Sequence, residues 1–256
     1  DDFDADTYVS AYRLIKLLGQ GGFGKVHLAE HKKTGELVAI KFVEVSDTEA
    51  MHNIYHIFGE AETLRGLVHT HIIKLYNTFM YQKRYLLFIM EYAQHGELLE
   101  LLQKYKRFSE ETARVIFKQL VEAMEYCHKM KIVHRDLKLE NILVQSVDPI
   151  KIKVADFGIA GICEGRSDNA GSLKYMAPEI LRKELVSLDS SIDVWSMGCV
   201  LYALVFGILP FTAKNRQALI EKVKTGKYTF PKAPKITPAC RSLITKLLAF
   251  DPYSRV

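Results

Sequence analysis

Between His134 and Asn141 the chain reads HRDLKLEN, and three of its side chains suit three different chemical tasks. Asp136 can accept a proton from a hydroxyl, Lys138 can set an ammonium beside a phosphoryl group in transfer, and Asn141 can offer an amide oxygen to a metal. A lone acid beside an arginine reads equally well as a structural salt bridge, so the weight lies on the combination and its spacing. Asp156, in the DFG that follows the apolar run IKIKVA, adds a carboxylate suited to Mg²⁺, a hard cation that takes oxygen ligands.

Two stretches nearer the start add groups that grip phosphates. Gly19, Gly21 and Gly24 in LGQGGFGKV form G-x-G-x-x-G. A dinucleotide fold needs the last glycine to open a helix and an acid about twenty residues on. Here the pattern runs into KVHLAE, which alternates as a strand does, so a glycine-rich hairpin over nucleotide phosphates fits better. Lys41 ends the strand-like VAIK, where a lysine often does no more than snorkel. A carboxylate on the next helix would fix its ammonium; Glu60 is preferred to the rival Glu62 because Leu64, four residues on, then falls on the apolar face beside it.

These groups need a frame. Tyr12 to Phe42 reads as strand, glycine-rich turn, strand, a turn at Thr34-Gly35, and the run LVAIKFV. Met51, Ile54, Phe58, Ala61 and Leu64 recur at helical spacing, and IIKLYNTF and YLLFIMEY follow as strands. After AQHGE the pattern turns helical: Ser109 caps a helix with Glu110 and Glu111 in its first turn, and Ala113, Ile116, Leu120 and Cys127 continue its buried face. Apolar helical segments dominate from Asp193. The fold class expected is α+β and bilobal: an antiparallel sheet lobe with one long helix, then a mainly helical lobe, with a ligand cleft at the junction.

The 256 residues are 48% apolar, ample for a core, and a net charge of +5 with scattered lysines and arginines disfavours a dedicated nucleic-acid surface. The longest apolar stretch, CVLYALVFGILPF, is too short to span a bilayer, and the acidic DDFDADTYVS does not read as a signal peptide. Cys127, Cys163, Cys199 and Cys240 lie far apart, which fits reduced thiols in an intracellular compartment, cytoplasmic or nuclear. Cys163 reads as an inert packed thiol. His69 and His71 in HTH lack an acid or cysteine at ligand spacing and read as a structural turn.

In order along the chain, GQGGFGKV, VAIK, Glu60, HRDLKLEN, DFG, APE, DVWSMG and Arg255 resemble the eukaryotic protein kinase family. The resemblance divides the chain into an extension, 1–11, and a catalytic domain, 12–256, with an N-lobe at 12–90, a hinge at 91–96 and a C-lobe at 97–256 cut near its end from a longer regulated protein. It implies ATP and Mg²⁺ as cofactors, with the nucleotide between the lobes. Leu18, Gly19, Gln20, Gly21, Gly22, Phe23, Gly24 and Lys25 would cover the phosphates. Val26, Ala39 and Leu143 would sandwich the adenine, and backbone groups of Glu91 and Ala93, behind Met90, would bond its edge. Lys41, paired with Glu60, would hold the α- and β-phosphates, Asn141 and Asp156 the magnesium ions, and Asp136 the substrate hydroxyl. Glu179 would pair with Arg255, and Asp193 would brace the catalytic loop.

Lys138 and Ser172, whose hydroxyl can bridge Asp136 and Lys138, resemble the serine/threonine-specific members. HRDLKLENIL, DVWSMGCVLYALVFGILPF and LLAFDPYSRV resemble the calcium/calmodulin-dependent group, AMP-activated-type relatives in particular. In that group the positions of Glu97 and Glu140 contact an arginine upstream of the acceptor. GSLKYMAPE departs from it at Leu173 and Lys174, which leaves the preference just after the acceptor open. The partners implied are protein substrates, an upstream kinase and regulatory segments outside this chain, with no nucleic acid and no membrane. The alternative is a nucleotide-binding pseudokinase; the presence of Lys41, Asp136, Asn141 and Asp156 favours an active enzyme.

Between DFG and APE, Asp168 stands where AMP-activated-type relatives carry the activating threonine. A phosphothreonine carries about −1.5 to −2 charges at neutral pH, so an aspartate is a partial mimic. Arg135 is its natural partner and His56 a second, four residues before Glu60. A solvated Asp168 with Ser167 as the true switch is the competing reading.

Overall fold

The computed structural model describes residues 9–21, 24–44, 61, 63–82, 84–156, 172–182 and 190–256. The described residues through Ala93 form one compact unit and those from Gln94 onward another.

The first unit is a five-stranded antiparallel sheet. Strands β1 (Tyr12–Gly21), β2 (Gly24–His31), β3 (Leu37–Glu44), β4 (Leu75–Tyr81) and β5 (Tyr85–Glu91) lie in the order β1-β2-β3-β5-β4. Alternation divides its apolar side chains between two faces. Leu86 and Phe88 of β5 pack with Val43, Leu75 and helical Ala61, while Leu87 and Ile89 pack with Ala29, Val38, Ile40 and Phe79 on the other. Because β3 is central, its middle residues are covered on both faces, and Lys41 is only 4% exposed. Of the helix expected before Leu64, Ala61 and residues 63–65 are helical; the rest lies outside the described residues.

The glycine motif straddles a hairpin. β1 ends at Gly21 and β2 begins at its partner Gly24, so the motif runs into a strand and not into the helix a dinucleotide fold requires. Gly24 has φ +125°, and a Cβ there would collide with the carbonyl of Phe42, so no other residue fits the turn as built.

The second unit is mainly helical. Helix α1 (Leu98–Tyr105) is followed by α2 (Glu110–Lys129), whose N-cap Ser109 accepts from the Thr112 amide at 3.2 Å; Ala113, Ile116, Leu120 and Cys127 are all buried. A 3₁₀ turn (Leu139–Asn141) leads into a hairpin of β6 (Ile142–Val147) and β7 (Ile150–Val154). Gln119 of α2 is locked to that hairpin, donating to the Ile150 carbonyl at 2.9 Å and accepting from the Ile152 amide at 2.8 Å. After a second 3₁₀ turn (Ser172–Lys174) come the short α3 (Pro178–Leu181), α4 (Ser191–Phe206), α5 (Arg216–Lys224) and α6 (Pro238–Leu247).

Helix α4 is the centre of this unit. It is apolar nearly all round, as a helix enclosed by its neighbours is, and its buried residues include Trp195, Cys199 and Leu204. Among the described residues no helix is long and apolar enough to cross a membrane.

Candidate active site

The HRDLKLEN segment is held by one buried carboxylate 59 and 58 positions from the two residues it binds there, His134 and Arg135. Asp193, 1% exposed on the first turn of α4, accepts from the amides of His134 (2.8 Å) and Arg135 (2.9 Å), and its Oδ2 lies 2.9 Å from His128 Nε2. Arg135 needs this support, since its φ of +69° is a left-handed conformation that a side chain adopts only when its surroundings impose it. Arg135 as a whole is exposed.

His134 is fully buried and fixes the next link. Its Nε2–H donates to the Ala155 carbonyl at 2.9 Å, which leaves Nδ1 to accept the Asp136 amide at 3.3 Å. The tautomer is therefore set by the carbonyl, and the ring ties the Asp136 backbone to the residue just before Asp156. The Ala155 amide in turn donates to the Asn141 carbonyl at 2.8 Å. Asp156 itself sits at φ +61°, a second imposed left-handed residue.

On this frame the side chains of Asp136, Lys138, Asn141 and Ser172 converge. Lys138 Nζ lies 2.6 Å from Asp136 Oδ2 and 3.0 Å from Ser172 Oγ. Asn141 Nδ2 donates to the Asp136 carbonyl (2.7 Å) and to Asp136 Oδ2 (3.2 Å). Oδ2 thus holds two donors, and no hydrogen bond from a described residue reaches Oδ1. Asn141, its amide nitrogen committed, has its amide oxygen left to offer.

A set of acids lies on the same unit. Glu97 is the N-cap of α1, bridged to Leu143 of β6, and burial together with the charges of Glu100 and Glu140 holds its carboxyl above the ordinary glutamate value of 4.5. Glu140 Oε2 is buried without a hydrogen-bond partner. Burial, with Glu140 alongside, holds the Tyr175 hydroxyl far above the usual tyrosine range. Glu100 was not singled out from the sequence, although its place in the first turn of α1 is a signal that it shares a helix end with Glu97.

The remaining predicted residues fall on both units. Leu18, Gly19, Gln20 and Gly21 lie on β1; Gly24, Lys25 and Val26 on β2; Ala39 and Lys41 on β3; Met90 and Glu91 on β5. Register sets Val26 opposite Lys41 and Ala39 opposite Met90. Ala93 is buried, and the Glu91 amide is spent on the Lys74 carbonyl at 2.9 Å. Gly22, Phe23, His56, Glu60, its rival Glu62, Cys163, Ser167 and Asp168 lie outside the described residues. In the HTH turn, His69 Nδ1 accepts the His71 amide at 3.1 Å. Cys127 and Cys199 are buried, and burial raises the Cys127 thiol to about 12.

Glu179 on α3 is joined to Arg255, 76 residues further on. The guanidinium grips both carboxylate oxygens, at 2.5 and 2.8 Å, with the side chains 0% and 1% exposed. Arg255 also donates to the carbonyls of Ala249 (2.9 Å) and Ser191 (3.1 Å) and lies 5.0 Å over the Trp195 ring, so none of its burial is uncompensated. Trp195 stacks on Phe211 at 5.3 Å.

The pattern of the protein kinase domain family matches residues 12–256. Serine/threonine protein kinase OSK3 of rice (Oryza sativa subsp. indica) is 40% identical over 248 residues, 96% of this chain and 48% of the rice protein. Carbon catabolite-derepressing protein kinases are similarly related: that of rye (Secale cereale) is 39% identical over 251 residues, 96% of this chain and 49% of its own, and that of Candida tropicalis 37% identical over 251 residues, 97% and 39%. The chain spans half or less of the length of these relatives. With the family pattern covering all but its first eleven residues, the chain belongs to the protein kinase family.

Proposed function

We propose that the protein is a catalytically active, Mg-ATP-dependent serine/threonine kinase that phosphorylates protein segments with basic residues upstream of the acceptor. The observation that carries this reading is the state of Asp136. Lys138 and Asn141 hold one of its oxygens and leave the other uncommitted among the described residues, as a group that receives a hydroxyl proton requires.

The residues present fit the cofactors of the family. The amide oxygen of Asn141 and the carboxylate of Asp156 suit Mg²⁺, which is commonly held by one or two protein oxygens together with substrate phosphates. Asn141 through its amide oxygen and Asp156 through its carboxylate would hold it, and Lys41 would steady the α- and β-phosphates. When bound, the magnesium nucleotide supplies the γ-phosphoryl group and screens its charge. Ala39, Val26 and Leu143 would enclose the base, with Glu91 through its carbonyl and Ala93 on its edge. Asp136 orients the hydroxyl and accepts its proton, and the Lys138 ammonium, shared with Ser172, stabilises charge on the phosphoryl oxygens.

Glu97 and Glu140 support the basic preference. One carboxyl is half-buried and the other has a buried, unbonded oxygen, so both stand to gain from a guanidinium. Asp168 would act as a partial stand-in for an activating phosphate, with the exposed Arg135 as partner, and give activity without modification. The expected regulators are an upstream kinase and segments of the protein beyond this chain. The test is phosphorylation of a degenerate peptide library with and without prior phosphatase treatment of the enzyme. The reading expects arginine-selected serine and threonine peptides and unchanged activity after phosphatase; no transfer with Mg-ATP would leave the nucleotide-binding pseudokinase.

A further inference from the structure

The end of α1 and the loop after it read Lys104-Tyr105-Lys106-Arg107-Phe108, with three cations and two aromatics in five residues. From Lys104 to Arg107 every side chain is exposed, and Tyr105 is 56% so. The Tyr105 ring leans on Phe108 at 6.1 Å, and the Lys104 ammonium lies 5.5 Å from the Tyr105 centroid.

The backbone beneath these residues is fixed. Lys106 has φ +64°, and its carbonyl packs so closely on Gly207 that a Cβ at that position would overlap it. The Phe108 amide donates to the Leu204 carbonyl at 2.9 Å. This seats the loop against the C-terminus of α4 and places Ile208, 55% exposed, beside it.

One acid beside the loop is already committed. Glu110 spends both carboxylate oxygens on Thr237, accepting from its amide at 2.9 Å and its hydroxyl at 2.5 Å. The same contact draws the segment carrying exposed Lys232 and Lys235 up to the first turn of α2. None of these five cations forms an ion pair with a described acid. The result is a pre-ordered basic surface with two apolar side chains standing in it, in a chain whose net charge is only +5.

We propose that this surface docks an acidic protein segment that carries one aromatic or aliphatic residue, the carboxylates lying along Lys104, Lys106 and Arg107 and the apolar side chain resting between Tyr105 and Ile208. Like charges held together by the fold repel one another, and an anionic chain relieves that repulsion without the cost of ordering the loop. A bilayer suits the surface less well. Its apolar content is two half-exposed side chains, and Glu111, exposed in the first turn of α2, would face the lipid charge. The inference is independent of the catalytic reading.

The test is fluorescence anisotropy of the protein with a labelled peptide of alternating Glu and Asp around one Phe. Saturable binding is expected, weakened about tenfold or more by Lys106→Glu with Arg107→Glu and by raising salt from ~0.05 to ~0.5 M. Tyr105→Ser, or Phe→Ser in the peptide, should weaken it severalfold, and Lys106→Gln with Arg107→Gln should fall between wild type and the reversal. Phosphoryl transfer to a short basic peptide should be unchanged in all of these variants, and equal melting temperatures show that they fold. Absence of binding, indifference to the charge reversal, or tighter binding to phosphatidylserine vesicles or to a single-stranded oligonucleotide than to the peptide would each overturn the proposal.

Discussion

Lys138 Nζ lies between Asp136 Oδ2 at 2.6 Å and Ser172 Oγ at 3.0 Å, so one ammonium joins the HRDLKLEN segment to the segment that ends in APE. Lys138→Ala should therefore lower kcat by ~100-fold or more, the scale on which a single donor to a developing anion acts, while KM for ATP moves little. Steady-state kinetics at varied ATP check this. A loss confined to KM for ATP would place Lys138 on the nucleotide instead.

Glu179 and Arg255 form a fully buried, bidentate pair. Arg255→Met should destabilise the fold by about 3–5 kcal/mol, because it strands a carboxylate in the core. The double variant with Glu179→Gln should cost less than the sum of the singles. Urea denaturation of the three variants measures the coupling, and simple additivity would mean that the two groups act apart.

Glu97 gives a pH signature. Its carboxyl is raised above 4.5 by burial and by Glu100 and Glu140, so the folded state holds its proton more tightly than the unfolded chain does. Its contribution to stability is therefore full below the unfolded value and is lost as pH rises through the higher folded value. Glu97→Gln should raise the melting temperature at pH 7 and not below pH ~4, and should reduce selection for upstream arginine. A variant that melts lower at pH 7 would show Glu97 to be paired with a cation.

Much of this arrangement was legible in the sequence because it is local. Ser109 with Glu110 and Glu111 announces a helix start, and Ser109 does cap it. The glycine motif followed by alternating KVHLAE announces a hairpin, and β1 and β2 form one. HRDLKLEN carries its chemistry in its own spacing, and Asp136, Lys138 and Asn141 do meet. What the sequence hides is made by distant parts of the chain. His128, in the last turn of α2, reaches Asp193 on α4. Gly207, which caps the end of α4, packs against the Lys106 carbonyl. Neither contact has a periodic or local trace, because each depends on how α4 lies against the rest of its unit.

On the proposed reading, Asp168 supplies a charge that supports activity without modification. In unmodified protein, Asp168→Ala should lower kcat about tenfold, and Arg135→Ala should do the same with no further loss in the double variant. Kinetics on phosphatase-treated enzyme read this out. Full activity in Asp168→Ala, with a loss in Ser167→Ala, would favour Ser167 as the switch.

On the proposed function, the Asp136 oxygen that no described residue engages receives the proton of the acceptor hydroxyl. The direct measurement is kcat of Asp136→Asn with Mg-ATP and a basic serine peptide, made beside its melting temperature and its affinity for nucleotide. A fall of roughly 10²–10⁴-fold in kcat is expected, with folding and nucleotide binding intact. A well-folded Asp136→Asn enzyme that keeps kcat within about threefold of the wild type would contradict it.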